Sequence, residues 1–233
     1  MARQRLHRRT GRTEHLFHAD FGEDRDVGKQ PSRGIECQES DADVAGWSAM
    51  LTVPARPEYL FTSRLVLEPL KIDHARESVS YWQDDLLYRY IPTNPPESVS
   101  ALINRYQILD RGASSNGEER WVNWFMRERG TNKLVGLIEC TIFNSNVAQL
   151  AYFVFTNHQG KGFAREGCRA ALDVLASTYS VSEVRAYIDT RNTSSISLVQ
   201  KLGFHCSEYI VGADFFKGET SDEYLWTLSL AIK

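Results

Sequence analysis

The chain has 233 residues, 42% of them hydrophobic and 24% charged, with a formal net charge of −3; that is enough for one well-buried domain with an appendage. The charge gives no case for general nucleic-acid binding, and no apolar run approaches the ~20 residues that span a bilayer. Four cysteines (Cys37, Cys140, Cys168 and Cys206) lack metal-ligand spacing, so the expectation is a soluble cytoplasmic protein with reduced thiols, no metal and no membrane.

The start of the chain differs from the rest. Residues 1–12 hold five arginines and no acid, and residues 13–46 hold nine acids against Arg25, Lys29 and Arg33. With little hydrophobic periodicity and several glycines, residues 1–57 are expected to form a weakly ordered extension, and residues 58–233 the folded domain. The basic start does not persist as a transit peptide does. It reads as a solvated tail, with Met50 as the native first residue, which intact-mass analysis of the native protein checks.

Ser63 to Leu70 alternates apolar and polar residues, a first strand closed by Pro69. Ile72 to Tyr90 reads as helix with Asp73 as N-cap, and the prolines of Ile91 to Pro96 must interrupt it. A second helix is expected from Glu97 or Ser98 to about Arg111. Trp121–Glu128 and Lys133–Ile142 form a hairpin across Arg129 to Asn132. Gln149 to Phe155 is a central strand. Phe163, Gly167, Ala171, Leu175 and Thr178 then recur at helical spacing. Val184–Ile188 is a strand, and Ser194–Leu202 is a short helix ended by Gly203. Phe204–Val211 and Tyr224–Leu230 close the sheet around a polar hairpin.

Between the central strand and its helix lies Gln159-Gly160-Lys161-Gly162-Phe163-Ala164. Two glycines at the first turn of a helix let backbone N–H groups crowd toward an anion, where unpaired donors and the helix dipole favour negative charge. The same residues also make a plain strand-to-helix turn. A Walker loop is excluded because Gly162, not Ser or Thr, follows Lys161. A dinucleotide fingerprint is excluded because its small third residue is replaced by Arg165.

Gln159, Gly162 and Ala164 meet the pattern Gln/Arg-x-x-Gly-x-Gly/Ala after a strand. Asn192-Thr193-Ser194-Ser195 followed by Lys201-Leu202-Gly203-Phe204 makes a second block. Together they resemble the GNAT superfamily of acyl-CoA-dependent N-acetyltransferases, in its RimJ/RimL-like branch (ribosomal-protein-alanine/serine N-acetyltransferase type), over roughly Phe61 to Ile232. Tyr152 to Glu166 and the first-strand residues Thr62, Arg64 and Leu65 also fit that branch. The resemblance implies an α/β (α+β) fold, with a mixed, mostly antiparallel central sheet flanked by helices. It implies acetyl-CoA as co-substrate, an amine acceptor (a protein N-terminus or a small molecule), and a monomer or homodimer.

The resemblance also assigns roles. The backbone from Gly160 through Ala164, with Lys161, Phe163 and Arg165, is expected to hold the pyrophosphate. Arg165 stands where the family often has a small hydroxyl residue, and its other reading is a solvent-facing side chain. Phe153, Val154 and Phe155 pair with the pantetheine arm as an added strand, one N–H polarising the acetyl carbonyl. Asn192 either meets that arm or caps a helix. Ser195 either protonates the leaving thiolate or serves as a capping residue, and Tyr209 is a reserve acid or a packing residue. The base is open. Gln149 stands where the family often has glutamate, leaving Glu139 and Glu208 as nearest candidates, with His158 and Asp189 also in reach. Trp82, Tyr88, Tyr90, Trp121 and Trp124 make the acceptor region aromatic. Asp84 and Asp85 either attract a cationic amine or end a helix. The alternative to an enzyme is a catalytically degenerate acyl-CoA-binding module.

Overall fold

The computed structural model describes residues 56–231. Most of the expected extension, together with Met50 and Cys37, lies outside them. The elements run in chain order as β1 (Leu60–Phe61), β2 (Leu65–Pro69), α1 (His74–Trp82), α2 (Val99–Leu109), β3 (Glu119–Glu128), β4 (Leu134–Phe143), β5 (Val147–Val154), α3 (Phe163–Ser177), β6 (Glu183–Asp189), α4 (Thr193–Leu202), β7 (His205–Phe216) and β8 (Glu219–Ser229). One eight-stranded sheet takes the order β1-β2-β3-β4-β5-β6-β8-β7. Only β5 and β6 pair in parallel; every other neighbouring pair is antiparallel.

Helices cover both faces. On one, Arg105 of α2 meets Glu139 of β4, and Trp82 of α1 packs edge-on against Phe153 of β5, ring centroids 5.3 Å apart. On the other, α3 lies close enough that a Cβ at Gly167 would stand 2.6 Å from Met126 Sδ and 2.9 Å from Ile138 Cδ1. The core between these layers is large and apolar, with Trp124, Phe125, Leu137, Ile138 and Leu175 fully buried. Burial of side chains of this size contributes about 1.5–3 kcal/mol each.

The expected helix over Ile72–Tyr90 is shorter. It stops at Trp82, and a separate 3₁₀ turn follows over Asp85–Tyr88. The reason is local: Asp84 sits in extended backbone, and its carboxylate accepts the Leu86 N–H at 3.0 Å, an Asx-type alternative to continuing the helix. Asp73 is not the cap expected of it, for it is already helical and its side chain makes no capping bond. Ser98 is a true N-cap, accepting from Ala101 N at 3.1 Å.

The last hairpin is longer and tighter than expected. Its strands reach the turn Lys217–Gly218, where both residues have positive φ (53° and 82°), as a primed hairpin turn requires. Lys217 Nζ reaches back to donate to the Tyr88 carbonyl, so the hairpin tip meets the segment between α1 and α2.

Candidate active site

The sheet is split at one place. β5 and β6 pair only through Val147–Glu183, Ala148–Val184 and Gln149–Arg185. Beyond Gln149, β5 runs on to Val154 bonded to β4 alone, and β6 runs to Asp189 bonded to β8 alone. Two strand edges therefore face each other without rungs, which is room for an extended ligand arm. Phe155 N–H is already taken by Val135 O at 3.0 Å on the β4 side. Because N–H groups alternate sides along a strand, Val154 aims its own at the open edge.

The glycine loop closes the wide end. Gln159 Nε2 donates to the Val154 carbonyl at 3.0 Å, tying the loop to the end of β5. Gly160 and Gly162 take φ of 74° and 82°, a conformation that costs any residue with a Cβ about 1 kcal/mol or more. α3 then begins at Phe163. Among the described residues, the N–H groups from Gly160 through Arg165 have no protein acceptor, and they gather at the positive end of a long helix. The donor set suits a pyrophosphate. Lys161 turns its ammonium onto the Asn157 carbonyl at 3.0 Å within its own loop, and Arg165 is exposed.

Across the gap stands α4. Asn192 caps it, its side chain accepting from Ser195 N at 3.1 Å, which is the capping reading of that residue. Ser195 is half-buried, and its hydroxyl lies beside the Tyr152 phenol, where a side-chain hydrogen bond works against the effect of burial on that phenol. Tyr152 on β5 donates its phenol to the Ser195 carbonyl at 3.2 Å, bracing the start of α4 against the central strand. Sequence reasoning missed this brace. Burial raises the Tyr152 pKa, so the phenol stays a donor.

The carboxylates separate clearly. Glu139, 3% exposed, lies directly across from Ala151 of β5 on the α1/α2 face. Arg105 holds its Oε1 at 2.5 Å, while Oε2 is buried without a partner. Burial pushes this carboxyl up, against the opposing charge and hydrogen bond of Arg105. Asp189 is fully engaged by Arg191 and by the Ser221 hydroxyl at 2.6 Å. Burial alone raises it, but these partners bring it below the ordinary range. His158 is lowered by burial and by the Lys161 charge.

The structure does not bring Tyr209 to the gap. It lies on β7, the edge strand, with β8 and β6 in between. Its ring is 52% exposed, and its hydroxyl donates to Asp222 at 2.5 Å. That hydrogen bond raises its pKa. Glu208, on the same strand, is exposed as well. The aromatic wall is closer. Tyr81 stacks on Phe155 at 4.5 Å, and Trp82 meets both Phe153 and Phe155, so α1 covers the flank of the central strand.

Comparison with known proteins agrees with this geometry. The chain is 25% identical over 173 residues to the uncharacterized N-acetyltransferase p20 of Bacillus licheniformis, covering 73% of this chain and 96% of that protein. Among solved structures, a ribosomal-protein-S5-alanine acetyltransferase from Vibrio fischeri superposes with a TM-score of 0.65 at 15% identity, covering 74% of this chain and 97% of that one. Spermidine N-acetyltransferase from Vibrio cholerae, in complex with CoA and spermine, gives 0.62 at 22% identity, covering 72% and 96%. The family model described as an acetyltransferase (GNAT) domain matches residues 64–205, a span that begins just before β2 and takes in the open edge, the glycine loop and α4. This chain belongs to the GNAT family of acetyltransferases.

Proposed function

We propose that this protein transfers an acetyl group from acetyl-CoA to a primary amine by direct attack on the thioester, within a catalytic domain spanning residues 58–233. The observation that carries the reading is the unpaired β5 edge ending at a row of unpartnered N–H groups. Acetyl-CoA supplies an activated acyl group and a pyrophosphate. The N–H groups from Gly160 through Arg165 hold the pyrophosphate, and the open edge near Val154 aligns the pantetheine arm, its N–H polarising the acyl carbonyl. Glu139, through its unpartnered Oε2, takes the proton of the attacking amine. Ser195 returns a proton to the leaving thiolate. Tyr209 has no part in this scheme. The acceptor enters on the α1/α2 face, between that wall and the tip of the β7–β8 hairpin. Similarity to both a ribosomal-protein and a spermidine acetyltransferase supports an amine acceptor, a protein N-terminus of the RimJ/RimL kind or a small polyamine.

Two measurements test this. Acetyl-CoA at about 100 times its Kd adds ~2.7 kcal/mol to the unfolding free energy. Thermal unfolding of the full chain with and without the ligand reads that shift, and no shift at millimolar acetyl-CoA refutes the proposal. Thiol release across a panel of amines and N-terminal peptides then reports transfer; binding without release leaves the degenerate binding module. Ser195→Ala is expected to lower turnover about 10²-fold, the lower end for a proton-transfer group, with donor affinity unchanged. Equal loss of both makes Ser195 structural.

A further inference from the structure

The back of the glycine loop is held by residues that the reaction scheme does not use. Arg64, just before β2, donates from Nε to Glu166 Oε2 at 2.7 Å and from Nη1 to the Lys161 carbonyl at 2.9 Å. Its guanidinium carbon sits 4.8 Å from the centroid of the Phe163 ring, and a Cβ on Gly162 would stand 3.4 Å from its Nη2. Glu166, in the first turn of α3, gathers further donors on Oε1: the Thr62 hydroxyl at 2.6 Å, the Arg64 N–H at 2.8 Å and the Ser63 hydroxyl at 3.0 Å. Burial alone would raise the Glu166 pKa, but these bonds outweigh it and bring it to about 2. The carboxylate therefore stays charged and fixed throughout the neutral range.

The consequence is directional. A trans peptide points its C=O and N–H to opposite sides. Drawing the Lys161 carbonyl back onto Arg64 therefore turns the Gly162 N–H to the opposite side, among the other unpartnered donors of the loop. We propose that Arg64, locked by Glu166, is the positioning residue of the donor loop: it withdraws the Lys161 carbonyl from the anion and holds the Gly162 N–H toward the pyrophosphate. This rests on the acetyl-CoA reading above. Arg64 touches no substrate; it acts through the loop.

The test uses the full chain and acetyl-CoA itself. Titration calorimetry gives Kd for the wild type, Arg64→Ala, Arg64→Lys and Glu166→Gln. Amide exchange at saturating ligand reports the loop and β5 separately. Arg64→Ala is expected to raise Kd tenfold or more, equivalent to at least ~1.4 kcal/mol. Saturated Arg64→Ala loses protection at residues 160–165 and keeps it at residues 152–154. Glu166→Gln keeps an acceptor for Thr62 and Ser63 but sets an amide N–H₂ against Arg64 Nε, so it follows Arg64→Ala. Arg64→Lys, lacking the planar fork, recovers only part of the affinity. Kd values within twofold of wild type, or protection lost from β5 and the loop together, overturn the proposal and leave the acetyl-CoA reading standing. A wild-type protein that fails to bind acetyl-CoA overturns both. If Arg64→Ala does not fold, Arg64→Lys and Glu166→Gln carry the same comparison.

Discussion

Gly136→Ala is expected to destabilise the fold by about 3 kcal/mol or more, at the upper end for overpacking. Gly136 lies on β4 opposite Val154, and a Cβ there would stand 2.1 Å from the Phe153 carbonyl oxygen and 2.7 Å from Met126 Cε. The methionine end can swing away; the backbone oxygen cannot. β4 and β5 must part, and they part where β5 presents its open edge, so affinity for acetyl-CoA falls with stability. Gly167→Ala is the control. The three atoms nearest its Cβ would be Met126 Sδ, Ile138 Cδ1 and Met126 Cγ, side-chain atoms rather than backbone, so its cost is smaller. Denaturant unfolding of both variants, each with and without acetyl-CoA, checks the pair. A Gly136→Ala protein within 1 kcal/mol of wild type is incompatible with the strand spacing described here.

Glu139→Gln is expected to cut kcat/KM about 10²-fold or more while leaving donor affinity nearly unchanged. The raised pKa of Glu139 places the acid limb of the wild-type pH profile above the ordinary carboxylate range, and the variant loses that limb. Stability supplies a second readout with a defined sign. A carboxyl whose folded pKa is raised favours the folded state most below its unfolded value, near 4.5, and that contribution disappears as pH climbs through the folded pKa. The difference in unfolding free energy between wild type and Glu139→Gln should therefore change across that window and be flat outside it. Glu139→Ala is a different experiment, since it leaves Arg105 without its buried carboxylate and risks about 3–5 kcal/mol. An acid limb that survives in Glu139→Gln assigns the proton transfer elsewhere.

Much of this could be read from local pattern. The alternation in Leu65–Leu67, the helical stripe from Phe163 to Leu175 and the cap-and-stop signals of Asn192 and Gly203 each depend on a few neighbouring residues, and all appear as elements. Failures came where a local competitor or a distant partner decides. Asp84 diverts the chain at the end of α1, a side-chain bond invisible to periodicity. The β7–β8 turn uses Lys217 at positive φ, where Asn or Asp is the usual sign, and Gly212 carries a register slip between Ile210 and Asp214. Arg64 and Glu166 each fitted the family pattern, but nothing in sequence showed them bonded to each other. Glu139 and Glu208 stood together as the nearest candidates for the base. Only the strand order separates them, placing one beside the central strand and the other at the sheet's edge.

The missing rungs between β5 and β6 bear on how long the protein survives in a cell. A sheet joined across its middle by three short pairings opens there more readily than at any fully laddered seam, and opened backbone is what proteases cut. Under the acetyl-CoA binding proposed above, a donor lying in the gap would supply hydrogen bonds that the polypeptide leaves out, and would suppress opening as its concentration rises. Abundance of the chain would then rise and fall with the supply of its own co-substrate, without any separate regulatory element.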